Sequence, residues 1–135
     1  MNHIVKSNKN AVFYVYGESL GTGVATYITA NFKEVSKLFL QSPYTSIVDI
    51  SKGKYPYLPI DLIITNKFKQ VSNANNINIE VLTFYGELDK VIPKEISIIQ
   101  HKNFKGLKKI FEFKGRGHSL RHENEKLWDI MKSNM

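Results

Sequence analysis

The sequence predicts an α/β fold built on a parallel sheet, and three observations predict it. Short runs dense in Val, Ile, Leu and aromatic residues recur along the chain at Ala11–Tyr16, Lys37–Leu40, Ile79–Tyr85 and Lys109–Phe113. Segments with helical spacing alternate with them, which is the rhythm of strand and crossover helix. The strand-like runs end in loops rich in Gly, Ser and Pro, where an α/β sheet gathers its polar chemistry.

Taken in order, Met1–Ser7 reads as a helix end or a frayed tail, closed by the polar turn Ser7-Asn8-Lys9-Asn10. Ala11–Tyr16 carries apolar residues on both faces, as a buried parallel strand does. Leu20–Asn31 reads as a helix with Val24, Ile28 and Phe32 at helical spacing. Lys37–Leu40 is a second strand, stopped by Gln41-Ser42-Pro43. Between Tyr44 and Val71 the pattern loosens around Tyr55-Pro56-Tyr57-Leu58-Pro59 and a short amphipathic segment, Ile60–Phe68. An insertion of this kind after a strand often covers a pocket, and it also serves as a packed connection. Ser72–Asn78 reads as a polar loop, Ile79–Tyr85 as a third strand and Lys94–His101 as a helix. Lys109–Phe113 is a fourth strand, and Glu123–Lys132 closes the chain as a helix bearing Leu127, Trp128, Ile130 and Met131.

The 135 residues make at most one domain, and 42% apolar content with eight Phe and seven Tyr makes it globular. The apolar runs are too short to cross a bilayer, and no signal peptide is visible. The absence of cysteine excludes disulfides, thiol catalysis and thiolate zinc sites, and is compatible with the cytoplasm. The net charge of +7 comes from lysines scattered between Lys6 and Lys132, without zinc-finger spacing or an RNA-binding aromatic signature. A solubilising surface accounts for it, so no nucleic-acid partner is expected. No His and carboxylate spacing suits a metal, so neither metal nor cofactor is expected.

The most informative stretch is Val12-Phe13-Tyr14-Val15-Tyr16-Gly17-Glu18-Ser19-Leu20-Gly21. An apolar strand breaks at a glycine, presents one serine and turns through a second glycine into helical sequence. That is the G-x-S-x-G form of a nucleophile elbow, in which small residues two before and two after the serine let strand and helix approach. An ordinary turn serine or a helix N-cap would read the same way. Two further strand-end loops hold complementary groups: Gly86-Glu87-Leu88-Asp89-Lys90-Val91-Ile92-Pro93 and Gly115-Arg116-Gly117-His118-Ser119-Leu120. Serine, acid and histidine then follow in the chain order Ser…Asp…His. Glu87 competes with Asp89 for the acidic role, and Asp89 also suits a cap for the helix near Pro93. His122 neighbours His118, whereas His3 and His101 look like surface residues.

Four blocks carry a resemblance: Tyr16–Gly23, Leu40–Ser46, Tyr85–Pro93 and Gly115–His118. From about Ala11 to its end the chain resembles the carboxyl-terminal half of an α/β-hydrolase of the serine-aminopeptidase-like group. The resemblance implies a partial α/β-hydrolase fold: about four mostly parallel strands with flanking helices, lacking the amino-terminal strands. It divides the chain into an elbow (11–32), a cap-like connection (44–71) and acid and histidine loops (86–120). Its mechanism would use Ser19 as nucleophile, His118 as base and Asp89 as the partner of the imidazole, a choice of acid made on the match before Lys90-Val91-Ile92-Pro93. The backbone N–H of Leu20 would supply one oxyanion donor.

The resemblance also implies what would be absent: the earlier strands, the loop giving the second oxyanion donor, and part of the pocket wall. The first strand would then form an exposed apolar edge. The expected substrate is a small acyl compound, and a chain supplying the amino-terminal half is a candidate partner. The rival expectation is a non-catalytic remnant or the binding half of a split hydrolase. An anchor in the amino-terminal part would associate the protein with a membrane.

Overall fold

In a computed structural model of the chain, residues 11–54 and 70–135 are described. Four strands, β1 (Phe13–Glu18), β2 (Val35–Gln41), β3 (Glu80–Gly86) and β4 (Lys108–Phe113), pair in parallel in the order β1-β2-β3-β4. Around them run α1 (Gly21–Asn31), α2 (Ile47–Lys54), α3 (Gln70–Ala74), α4 (Lys94–Lys102), a 3-10 turn (Arg121–Glu123) and α5 (Asn124–Ser133). Because every pair of strands is parallel, all four carboxyl ends open on one side. Register aligns Glu18 with Gln41, Gln41 with Phe84 and Gly86 with Phe113, so the loops that follow start side by side.

Alternation along β2 and β3 divides the core. Leu38, Leu40 and Val81 face one side, packed with Ala25, Ala74, Ile77 and Phe104. Phe39, Leu82 and Phe84 face the other, packed with Phe113, Leu120, Leu127 and Met131. Helices thus cover both faces, as the continuous apolar runs of β2 and β3 require. β1 differs: it lies at the edge of the described sheet, and Val12, Tyr14 and Tyr16 are exposed. The expectation of a strand buried on both faces gives way there to the exposed apolar edge.

Three other expectations change. The inner face of α1 is made by Thr22, Ala25, Thr26 and Thr29, while Val24 is 59% exposed. Only small side chains fit, since a Cβ on Gly17 would lie 2.7 Å from that of Ala25. The segment read as a polar loop begins in α3, whose Gln70 and Ala74 are buried. Gln70 Nε2 donates to Thr22 Oγ1 at 2.9 Å, and Thr26 Oγ1 donates to Gln70 Oε1 at 3.2 Å, so a polar residue is a core residue here. The Tyr55–Pro59 cluster and Ile60–Phe68, like Met1–Asn10, lie outside the described residues.

The third change is His101, which is buried rather than at the surface. It sits on the inner face of α4 with Ser97 and Gln100, and its Nδ1 meets Thr83 Oγ1 at 2.9 Å. Burial, helped by the charge of Lys108, pushes its pKa down to about 4. The unfolded chain takes up this proton near 6.5 and the folded chain does not, so folding stability falls as pH drops from 6.5 towards 4. The expected loss is roughly 3 kcal/mol across that window. Urea midpoints measured against pH, with His101→Gln removing this part of the slope, check it.

Candidate active site

The site forms where the four carboxyl ends meet. Between β1 and α1 stand only Ser19 and Leu20, so the chain must reverse within two residues. Ser19 does this with φ at +52°, a left-handed conformation that costs a serine about 1 kcal/mol or more. Hydrogen bonds hold it there: its N–H donates to the Gln41 carbonyl at 2.8 Å, and its carbonyl accepts from Thr22 N–H and Oγ1 at 3.0 and 2.6 Å. The two glycines of the G-x-S-x-G pattern are unequal. A Cβ on Gly17 would press into Gly21 O at 2.8 Å and Thr22 Cα at 2.9 Å, whereas one on Gly21 would meet open space. Closeness two residues after the serine is therefore not required. It is required at Gly23, where a Cβ would come within 2.7 Å of the Tyr44 hydroxyl.

The acid and histidine loops are knitted together before either reaches Ser19. Glu87 N–H donates to Phe113 O at 3.0 Å and Leu88 N–H to Arg116 O at 2.8 Å. Glu87, the competing acid, accepts the Gly115 N–H on Oε2 at 2.8 Å, tying down a turn in which Gly115 has φ +67°. Asp89 instead turns inward, with no exposure of its side chain. Its Oδ1 accepts the N–H groups of Val91 and Ile92, both at 2.9 Å. Those N–H groups belong to the loop before α4, whose N-cap position, Pro93, has no side-chain cap. Asp89 thus holds its own loop with one oxygen and His118 with the other rather than capping the helix.

His118 bridges the remaining gap. Its Nδ1 lies 2.8 Å from Asp89 Oδ2, and its Nε2 lies 2.9 Å from Ser19 Oγ. The hydrogen bond that His118 donates to Asp89 raises the imidazole pKa, and the charges of Asp89 and Glu18 add to this against the effect of burial. For Asp89, burial pushes upward, but hydrogen bonds from His118, Ile92 and Ser42 prevail and leave its pKa lowered. This combination keeps a carboxylate ionised beside an imidazole whose outward nitrogen can take a proton from a hydroxyl. Next to the serine, Glu18 accepts from Gln41 Nε2 at 3.1 Å, and Gln41 Oε1 accepts from Tyr16 at 2.8 Å.

Ser19, His118 and Asp89 are thus brought together, and Leu20 stands at the turn with no hydrogen-bond acceptor for its N–H among the described residues. His122 is exposed. Among the described residues no group of three His, Asp or Glu could hold a metal ion, and no helix is long and apolar enough to cross a membrane. Sequence reading passed over Ser42, whose hydroxyl also reaches Asp89; its signal was the Gln41-Ser42-Pro43 strand stop, a place where backbone turns sharply.

A parallel sheet with helices on both faces, and serine, histidine and acid at its carboxyl ends in that linked order, is the architecture of the α/β-hydrolases. Solved structures agree on the fold. An esterase from Exiguobacterium antarcticum superposes with TM-score 0.71 at 20% identity, covering 98% of this chain and 70% of that one. An acetyl xylan esterase from Paenibacillus sp. R4 gives 0.69 at 17% identity, covering 89% and 44%. The profile of the serine hydrolase (FSH1) family matches residues 2–126, and the chain belongs to that family. Curated relatives include an uncharacterized protein of Mycobacterium tuberculosis, 28% identical over 82 residues (61% of this chain, 29% of the relative). Another is the lysophosphatidylserine lipase ABHD12 of Danio rerio, 34% identical over 100 residues (62% and 26%). The chain therefore spans only between a quarter and a third of the length of these relatives.

Proposed function

We propose that Ser19, His118 and Asp89 act as an acyl-transfer triad that hydrolyses ester, thioester or amide bonds of a small acyl substrate. The observation that carries this reading is the line of contacts Ser19 Oγ to His118 Nε2 (2.9 Å) and His118 Nδ1 to Asp89 Oδ2 (2.8 Å), set on a left-handed serine. In this reading His118 takes the Ser19 hydroxyl proton as Oγ bonds the substrate carbonyl carbon. The imidazolium, steadied by Asp89, returns that proton to the leaving group as its bond to carbon breaks. Water then repeats the sequence on the acyl-enzyme and frees Ser19. The Leu20 N–H is the oxyanion donor this chain offers, and no metal or cofactor enters. The relatives named as lipase and esterase support a lipid-like or simple ester substrate, and a cysteine-free chain suits the cytoplasm.

The test is hydrolysis of p-nitrophenyl esters of increasing acyl length, followed against pH. Only neutral His118 accepts the proton, so activity falls as pH drops. Because Asp89 raises the His118 pKa, the acid limb is expected above the ordinary 6.5. A rate unchanged from pH 8 to pH 5 would remove His118 from the role of base.

The exposed β1 edge favours a second element of this reading. Val12, Tyr14 and Tyr16 leave apolar surface exposed along the β1 edge, and Leu20, Val24 and Tyr27 are exposed at the turn and on α1. We infer that the rest of a hydrolase, on this polypeptide or another, covers that surface and completes the pocket. Co-expression with an amino-terminal hydrolase half tests this. Restored or increased turnover supports a split enzyme, and a chain that neither binds nor gains activity supports a remnant.

A further inference from the structure

Asp89 has four hydrogen-bond donors, two on each oxygen. Oδ1 takes the Val91 and Ile92 N–H groups; Oδ2 takes His118 Nδ1 at 2.8 Å and the Ser42 hydroxyl at 2.9 Å. A carboxylate has about four lone-pair sites, so the set is full. Ser42 is fully buried, directly after β2, and stands at φ +48°, the other left-handed non-glycine among the described residues. Its N–H donates to Phe84 O at 2.8 Å, and the next carbonyl, that of Pro43, accepts Ser97 Oγ from α4 at 2.8 Å. The backbone is therefore held in a costly conformation whose result is a hydroxyl aimed at the oxygen that His118 uses.

We propose that Ser42 is a positioning residue for the acid: its hydroxyl occupies one side of Asp89 Oδ2, directs the other towards His118 Nδ1, and withdraws part of the negative charge that the imidazole feels. The proposal rests on the reading of Ser19, His118 and Asp89 as the reacting set. It assigns a function to the strand stop Gln41-Ser42-Pro43. Removing the hydroxyl leaves both Oδ1 bonds in place, so the carboxylate stays, but all of the charge on Oδ2 then faces His118. The imidazolium becomes more stable. The charged groups facing His118 are Asp89 and, from the end of β1, Glu18; changing Ser42 removes neither, and of the two it is Asp89 that the Ser42 hydroxyl touches.

The experiment is a titration of the His118 ring nitrogens by NMR in the folded chain, with the resonances assigned through His118→Gln. In Ser42→Ala the midpoint is expected to rise by about half a unit to one unit, a roughly 3- to 10-fold change in the proton-binding constant. Ser42→Gly removes the same hydroxyl but relieves the positive φ, so it is expected to be the more stable variant with the same raised midpoint. A buried serine that only fills space would change stability and leave the midpoint where it was. An unchanged or lowered midpoint in either folded variant overturns the proposal. The titration needs no turnover, so it separates this outcome from failure of the hydrolase reading. That failure would appear instead as an unreactive Ser19 with the His118 shift intact.

Discussion

Ser19→Ala is expected to lower ester hydrolysis by on the order of 10⁴–10⁶-fold while leaving the chain folded. The large effect follows because, among the described residues, the hydroxyl given at hydrogen-bond distance from His118 Nε2 is Ser19 Oγ, at 2.9 Å. The small effect on folding follows because the turn is held through the backbone. Ser19 N–H to Gln41 O, and Thr22 to Ser19 O, survive loss of the hydroxyl, and alanine meets the same left-handed cost as serine. Steady-state rates beside urea unfolding separate the two quantities. A variant retaining a tenth of the activity would place the nucleophile elsewhere.

Gly86→Ala is the second large effect, and it acts on the fold and the site together. A Cβ at Gly86 would lie 2.1 Å from Gly117 O and 2.5 Å from Arg116 O. These are backbone atoms of the loop carrying His118, so no side-chain rotation relieves the clash. Either the histidine loop lifts from the end of β3, breaking the Leu88 N–H to Arg116 O bond, or the strand end shifts and carries Asp89 with it. The expected cost is about 3 kcal/mol in unfolding free energy, as for overpacking against a rigid neighbour. Activity should fall even where the variant remains folded, because His118 and Asp89 no longer share one geometry. Chemical denaturation and hydrolysis of a small ester measure both.

How much of this was legible in the sequence depends on which forces left a pattern. β2 and β3 announce themselves because strands covered on both faces are continuous runs of apolar residues. The three candidate side chains were legible because each lies in a glycine-containing loop at a strand end, where backbone geometry restricts the choice of residue. The helices on the α1 side of the sheet were harder. Their inner faces are Thr22, Thr26 and Thr29, Gln70, and Ser97, Gln100 and His101, whereas Val24, Tyr27 and Ile99 are exposed. A reading based on apolar periodicity therefore turns Val24 inward and His101 outward. Hydrogen bonds such as Gln70 to Thr22 and His101 to Thr83 satisfy most of those polar groups, Gln100 excepted, and such partners are 48 and 18 residues away in sequence. Ser42 escaped for the same reason: its role is visible only once Asp89, 47 residues on, is beside it.

The claim on which the account turns is that this four-stranded unit assembles a reactive serine. It is tested most directly by treating the purified chain with a fluorophosphonate probe, beside Ser19→Ala and His118→Ala. Covalent labelling mapped to Ser19 and lost in both variants is the predicted result. A folded chain that does not react, or one whose labelling survives loss of either residue, would contradict it.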